Sequence, residues 1–223
     1  ALRASESVSP DYRRAVELYG NGLYDRALAI FESLPSDPMT DGYSVLCAVK
    51  MRTEGYPQLI SEYDRKYPSS VLTPHIRFEN ARLLFDAANY GEAALEFSKV
   101  NSSVLDAQQT AEYIFKCGYC EFSLGRQSEA LQFFMILEAL DFSEYTAPGR
   151  YLTGVIYYDD SRFAEAEASF WKASPDPRFT QLCEFYIVDC EFNQKNYAFA
   201  VREGERILLS AKRGLPGSSR SPA

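Results

Sequence analysis

A single histidine, a single tryptophan and a deficit of basic residues mark this 223-residue chain, with 23 lysines and arginines against 31 acids. One histidine, His75, cannot make a metal-binding histidine pair. It follows Thr73-Pro74, where capping or solvent exposure is its ordinary fate. No glycine-rich phosphate loop and no G-x-S-x-G elbow occurs, and paired acids such as Asp159 and Asp160 fall in a turn, where aspartate usually bonds nearby backbone. No base, nucleophile and orienting group converge, so no catalytic residue is assigned and an enzyme is not expected. The formal charge of -8 and pI near 4.9 are opposite to the footprint of a phosphate-backbone binder, which removes nucleic acid as a partner. No run of 18 apolar residues exists, so no segment is read as membrane-spanning.

What the chain does have is a repeat. An aromatic or equivalent residue, two variable residues, an alanine and a bulky aromatic four positions on recur at Tyr24 to Phe31, Tyr90 to Phe97, Gln127 to Phe134 and Phe163 to Phe170. A fifth copy, Tyr197 to Gly204, carries glycine in place of the last aromatic, and a degenerate one fits at Leu59 to Tyr63. The anchors are then Ala27, Leu59, Ala93, Ala130, Ala166 and Ala200, separated by 32, 34, 37, 36 and 34 residues. Small residues recur 12 before the anchor at Gly118 and Gly154, and turn residues precede the motif at Gly20-Asn-Gly22, Ala88-Asn89, Leu124-Gly125, Asp159-Asp-Ser161 and Lys195-Asn196.

This period and pattern resemble the tetratricopeptide repeat (TPR) family over nearly the whole chain. The resemblance implies an all-α, right-handed solenoid of about six helix-turn-helix units, roughly 12 helices without strands, with small side chains at close helix approaches and large ones between repeats. Expected boundaries are an N-terminal extension over 1–10, the array over 11–212 and a glycine-, serine- and proline-rich tail or linker over 213–223. The second unit departs most. Gly55-Tyr56-Pro57 replaces the usual turn and Leu59 replaces the alanine, so its helices are expected to be displaced or shortened.

The resemblance also indicates where binding occurs: the concave face made by the first helix of each unit. The groove positions 15 and 8 before each anchor are Tyr12 and Tyr19, Ser44 and Met51, Phe78 and Phe85, Phe115 and Phe122, Tyr151 and Tyr158, and Phe185 and Phe192. Seven residues is two helical turns, so the rings of a pair share a face and could stack into an aromatic ladder. Phe78, Arg82, Phe85, Phe115, Tyr119, Phe122, Tyr151 and Tyr158 are the candidate partner-binding residues. The competing reading makes the same rings packing between neighbouring helices, because large exposed apolar patches are uncommon unless something binds there. The basic side chains of a carboxylate clamp are missing from Tyr12, Val16, Ser44, Val45, Phe78 and Glu79.

Cys117-Gly-Tyr-Cys120 has a thiol-oxidoreductase spacing but falls inside a first helix, and Cys183 and Cys190 are seven apart, too far for a usual zinc pair. With Cys47 they are read as small buried fillers, and no metal or cofactor is assigned. The count is odd, so at least one thiol has no partner within the chain. The chain opens Ala1-Leu2-Arg3, an end that removal of a secretory signal would leave. Tyr67-Pro68-Ser69-Ser70 resembles a junction in TPR proteins of the bacterial cell envelope. The expectation is therefore a non-enzymatic scaffold, periplasmic or envelope-associated with a cytoplasmic alternative. Its groove would grip a protein or peptide segment, either another protein's or its own missing C-terminal portion. The alternative is a carbohydrate-binding accessory module. There the lone Trp171 is expected to pack beside Phe170.

Overall fold

The computed structural model describes residues 9–140 and 144–214. Among them are twelve α-helices, one 3-10 turn at Ser102–Val104 and no strand. The helices pair as α1 (Pro10–Gly20) with α2 (Tyr24–Phe31), α3 (Pro38–Met51) with α4 (Tyr56–Lys66), and α5 (Thr73–Asp86) with α6 (Tyr90–Phe97). Then follow α7 (Ala107–Ser123) with α8 (Gln127–Ala139), α9 (Thr146–Asp159) with α10 (Phe163–Ala173), and α11 (Thr180–Asn193) with α12 (Tyr197–Gly214). The chain divides into two compact units, residues 1–113 and 114–223. Of the expected extension, residues 1–8 lie outside the described residues, whereas Pro10 already opens α1. The expected tail lies outside them from residue 215.

Local chemistry sets the helix ends. Ser9 Oγ accepts the Tyr12 N–H at 3.0 Å, with Pro10 in the first turn where its missing donor costs nothing. Asp37 does the same for α3, accepting from Met39 and Thr40 at 2.8 and 2.9 Å. At α7, Asp106 accepts from Gln109 N–H at 2.8 Å and Gln109 reaches back to the Asp106 N–H at 3.2 Å, a reciprocal capping box. In five of the six pairs the left-handed residue that ends the first helix lies five before the anchor: Gly22, Ala88, Gly125, Ser161 and Lys195. Each is followed by a six-residue backbone bond such as Asn89 N–H to Leu84 O at 2.9 Å, which satisfies an otherwise orphaned carbonyl.

Inside the pairs, the repeat motif is the core. Ala27, Ala93, Ala130 and Ala166 are fully buried, as are Phe31, Phe97, Phe134 and Phe170 to within 3%. Close approach explains the small residues: a Cβ on Gly154 would lie 2.6 Å from the Phe170 ring, and one on Gly118 would lie 2.7 Å from Phe134. Added bulk there must push a ring aside.

The second pair corrects the anchor. Leu59 is 40% exposed, and Ile60, at 2%, takes the inward position. Ile60 is 33 residues from both Ala27 and Ala93, so the period is more regular than Leu59 makes it. The physical cause lies in the turn. Helix α3 ends early at a left-handed Arg52, and a second left-handed residue, Gly55, starts α4. The turn is longer than in the other pairs, and a bulkier side chain points inward. The expected shortening of the second helix does not occur, because α4 has 11 residues against eight in α2 and α6.

Candidate partner-binding faces

In the first unit, two of the candidate groove residues are already engaged. Phe78 is 1% exposed and packs against Phe97 at 6.2 Å, so its ring belongs to the core and is not available to a partner. This corrects its assignment to the groove; the ring is large, apolar and directed between α5 and α6. Arg82 lies over Phe78, and its Nε donates to Glu112 at 2.8 Å while a second nitrogen donates to Glu79 at 3.1 Å. Lys50 from α3 reaches the same Glu79 at 2.5 Å. The guanidinium therefore ties α5 to α7 and is not a spare cation for a ligand. Phe85 is half-buried, edge-on to Tyr90 at 5.6 Å.

Sequence reasoning missed a hollow of about 210 Å³ on the first-helix face of this unit. Tyr19, Tyr43, His75, Phe78, Glu79 and Gln109 line it, drawn from α1, α3, α5 and α7. Tyr19 holds its phenol proton far above the ordinary range, chiefly because it is buried. His75 is thus half-buried in a cavity wall and neither a cap nor a freely exposed ring. Its recurrence in no other unit hid it from periodicity.

In the second unit the rings of α7 and α9 are half-buried between helices. Phe115 stacks on Tyr145 at 5.3 Å and touches Tyr119 and Phe134 at 6.0 and 6.3 Å. Phe122 packs on Tyr119 at 6.4 Å and against the cluster of Ala130, Phe134 and Ile156. Tyr151 stacks on Phe179 at 5.1 Å and meets Phe170 and Tyr186 at 5.9 and 6.2 Å. Burial pushes its hydroxyl up to about 12. Tyr158 is hydrogen-bonded to Asp189 of α11, which raises its hydroxyl to about 12 as well, and lies edge-on to Tyr186 at 5.1 Å. For these residues much of the aromatic surface is spent on neighbouring helices.

The corresponding rings of α11 are different. Phe185 is 65% exposed and Phe192 56%, with Tyr197 edge-on to Phe192 at 5.3 Å and itself half exposed. They occupy the two groove positions before Ala200. Periodicity therefore found them as ladder members without showing that they, and not Phe115 or Tyr151, present open ring faces. Trp171, expected to pack, is 51% exposed, and its indole N–H donates to Glu167 at 3.2 Å.

The cysteines are buried to 6% or less. Burial raises the thiols of Cys47, Cys120 and Cys190 to about 12 and that of Cys183 to about 11, so they are protonated and poorly nucleophilic at neutral pH. Cys183 and Cys190 stand seven residues apart on one helix, about 10 Å by its rise, beyond the reach of a disulfide. Among the described residues no three His, Cys, Asp or Glu side chains converge as a metal site, and no helix is long and apolar enough to cross a membrane.

Antiparallel helix pairs on a 33- to 37-residue period, with small anchors under aromatic lids, define a helical-repeat protein with a TPR-like α-solenoid fold. Solved structures agree. BtubC (BKLC) from P. vanneervenii aligns over 97% of each chain with a TM-score of 0.60 at 15% identity. The MamA protein aligns over 83% of this chain and 96% of its own, with a TM-score of 0.61 at 15% identity. A kinesin-light-chain protein of Podospora anserina with nearly identical TPR-like repeats covers 92% of this chain and 95% of its own, with a TM-score of 0.54 at 12% identity. No protein-family model matches the chain, and no curated protein matches it in sequence.

Proposed function

We propose that this protein is a non-enzymatic scaffold that binds a protein or peptide segment on the first-helix face of its repeats. The observation that carries the reading is the pair of open rings Phe185 and Phe192 on α11, beside the half-buried Tyr151 and Tyr158 of α9. Large apolar rings held in water on a helical scaffold are unfavourable unless a partner covers them, and a few such aromatics commonly dominate an interface. Stacked repeats supply the rigid surface on which those rings are displayed. Phe85, Phe115, Tyr119 and Phe122 contribute edges to the same kind of face.

Replacing Phe185 and Phe192 together with alanine tests the assignment. Capture of partner proteins from extract should be lost while the helical circular dichroism signal and melting temperature hold. Unchanged capture by the folded double variant refutes it.

The proposal extends to an envelope location, which rests on the resemblance at Tyr67-Pro68-Ser69-Ser70. Buried, unpaired Cys47, Cys120, Cys183 and Cys190 favour the cytoplasmic alternative, since unpaired thiols are commoner in reducing compartments. An alkaline phosphatase fusion that stays inactive in intact cells refutes the envelope reading. Sugar binding is the second reading, favoured by Trp171 standing open beside Glu167. Loss of a glycan-array signal in Trp171→Ala would establish it, and an empty array refutes it.

A further inference from the structure

On the second-helix side of the first unit, a groove of about 600 Å³ opens between α2 and α4 over α3. Its accessible apolar wall is made by Leu28, Leu34 and Leu59, over the buried Phe31 and Tyr63. At one end Asp41 accepts hydrogen bonds from Lys66 at 2.8 Å, Ser36 at 2.7 Å and Tyr67 at 2.8 Å. Glu32 and Glu62 also line the groove, and among the described residues neither makes an ion pair.

The second unit contains the corresponding groove, between α8 and α10 over α9, and it is smaller, at about 270 Å³. Three differences between the repeats, with two physical causes, account for the smaller volume. Arg150, 16 before Ala166, reaches across to Glu138 with two bonds of 2.6 and 3.2 Å, and Lys172 meets the same carboxylate at 3.3 Å. In the first unit the equivalent of Arg150 is Ser44, 16 before Ile60, and the equivalent of Glu138 is Pro35. No ion pair equivalent to Arg150–Glu138 crosses the groove, and Lys66, the counterpart of Lys172, turns to Asp41 and Ser36 at one end of it. The second cause is Ile60 itself, a branched side chain where α10 carries Ala166, so α4 cannot close on α3 as α10 closes on α9. At the position of Met135 the first unit carries Glu32, which puts a carboxylate on the rim.

We infer that the α2–α3–α4 groove is a second binding site, separate from the first-helix face, and that its occupant is a short amphipathic peptide segment bearing apolar side chains and a lysine or arginine. The volume falls within the range of pockets that hold a ligand. Between Leu59 and Tyr67 the groove wall runs about 12 Å, two turns of helix, by the rise per residue. Apolar walls supply the anchoring surface, while Glu32 and Glu62 select the charge.

A fluorescein-labelled leucine–lysine helical peptide and its leucine–glutamate counterpart, titrated into the full chain and followed by anisotropy, test the inference. The basic peptide should bind at least tenfold more tightly than the acidic one. Ser44→Arg, which restores the side chain that closes the other groove, should weaken it at least tenfold with helicity retained. Leu59→Lys combined with Glu62→Lys changes only exposed positions and should do the same, so a misfolded Ser44→Arg does not remove the test. Equal affinity for both peptides overturns the charge assignment, and undiminished binding to either folded variant overturns the site. If light scattering instead shows a dimer that Ser44→Arg dissociates, the occupant is a second copy of the chain and the peptide proposal fails.

Discussion

Helices α9 and α11 carry the same two repeat positions and put them to different uses. Tyr151 and Tyr158 on α9 are covered by Phe179, Tyr186 and Asp189, which belong to α11 or the residue before it. Phe185 and Phe192 on α11 remain more than half exposed. A position in a repeat therefore does not decide whether a ring is core or contact surface; the helix that follows decides it. Where a next helix lies on the ring, removing the ring leaves a cavity. Where none of the described helices does, as at Phe185 and Phe192, removing it costs little stability and takes away binding surface.

The comparison breaks first at its covered end. Phe170 is fully buried, stacked on Tyr186 at 4.7 Å and pressed against Gly154. Phe170→Ala should cost about 3–5 kcal/mol, the usual range for an aromatic truncated in a core, read from urea unfolding. A loss under about 1 kcal/mol would mean that the α9–α10–α11 packing described above is wrong. Tyr151→Ala comes next, at about 1–3 kcal/mol for a half-buried ring with three aromatic neighbours. Phe185→Ala should stay within about 0.5 kcal/mol of the parent, as surface substitutions do, and lose about 1–4 kcal/mol of partner affinity instead. Equal destabilisation by the Tyr151 and Phe185 variants would erase the distinction between the two helices.

Acid should loosen α9 through its partner α8. Burial alone would raise the carboxyl of Glu138, but hydrogen bonds from Arg150 and Lys172, with their charges, hold it below its ordinary value. A carboxylate whose folded value is depressed stabilises the fold above the unfolded value, and that contribution disappears as pH falls through the folded one. Melting temperature should therefore drop below roughly pH 4.5. Glu138→Gln should flatten the drop, and an unchanged pH profile in that variant would show that the α8–α9–α10 ion network contributes nothing.

The fold was legible because its determinants are local and recur. Alanines at the anchors, aromatics four residues on and turn signals between helices all survive in the sequence, and burial of Ala27, Phe31, Ala166 and Phe170 follows from them. The second helix pair was misread by one residue because Leu59 and Ile60 are both apolar, and the left-handed Arg52 that shifts the turn carries no glycine to announce it. The candidate site was legible only as a set of positions. Whether Phe78 or Phe185 faces water depends on which helix lies over it, and that is a long-range contact which spacing along the chain does not encode. The α2–α4 groove was invisible for a related reason: it arises from Ser44 and Pro35 in one unit where Arg150 and Glu138 stand in the other, and periodicity draws attention to what repeats.

The smallest effect should come from the turns that lead into α10 and α12. Ser161 and Lys195 hold φ of 60° and 68°, the left-handed region, at the position where the first and fourth pairs use Gly22 and Gly125. A side chain pays for that conformation through contact of its Cβ with the following carbonyl, a cost of about 1–2 kcal/mol that glycine avoids. Glycine in turn loses more backbone freedom on folding, so the net gain from Ser161→Gly or Lys195→Gly should be about 0.5–1 kcal/mol. The two sites are far enough apart along the chain, in different turns, that their gains should add. Because the exposed α9–α10 turn joins the half-buried Tyr158 and Phe163 while the α11–α12 turn adjoins the open Phe192 and Tyr197, the same chemical change also probes local stability on both sides of the comparison. Hydrogen exchange of the Arg162 and Asn196 amides, which bond back to Tyr157 and Glu191 at 2.8 and 2.9 Å, reads each turn separately. Slower exchange at Arg162 in Ser161→Gly and at Asn196 in Lys195→Gly is the expected result. Faster exchange at either would mean that the side chain stabilises its turn by more than the left-handed backbone costs.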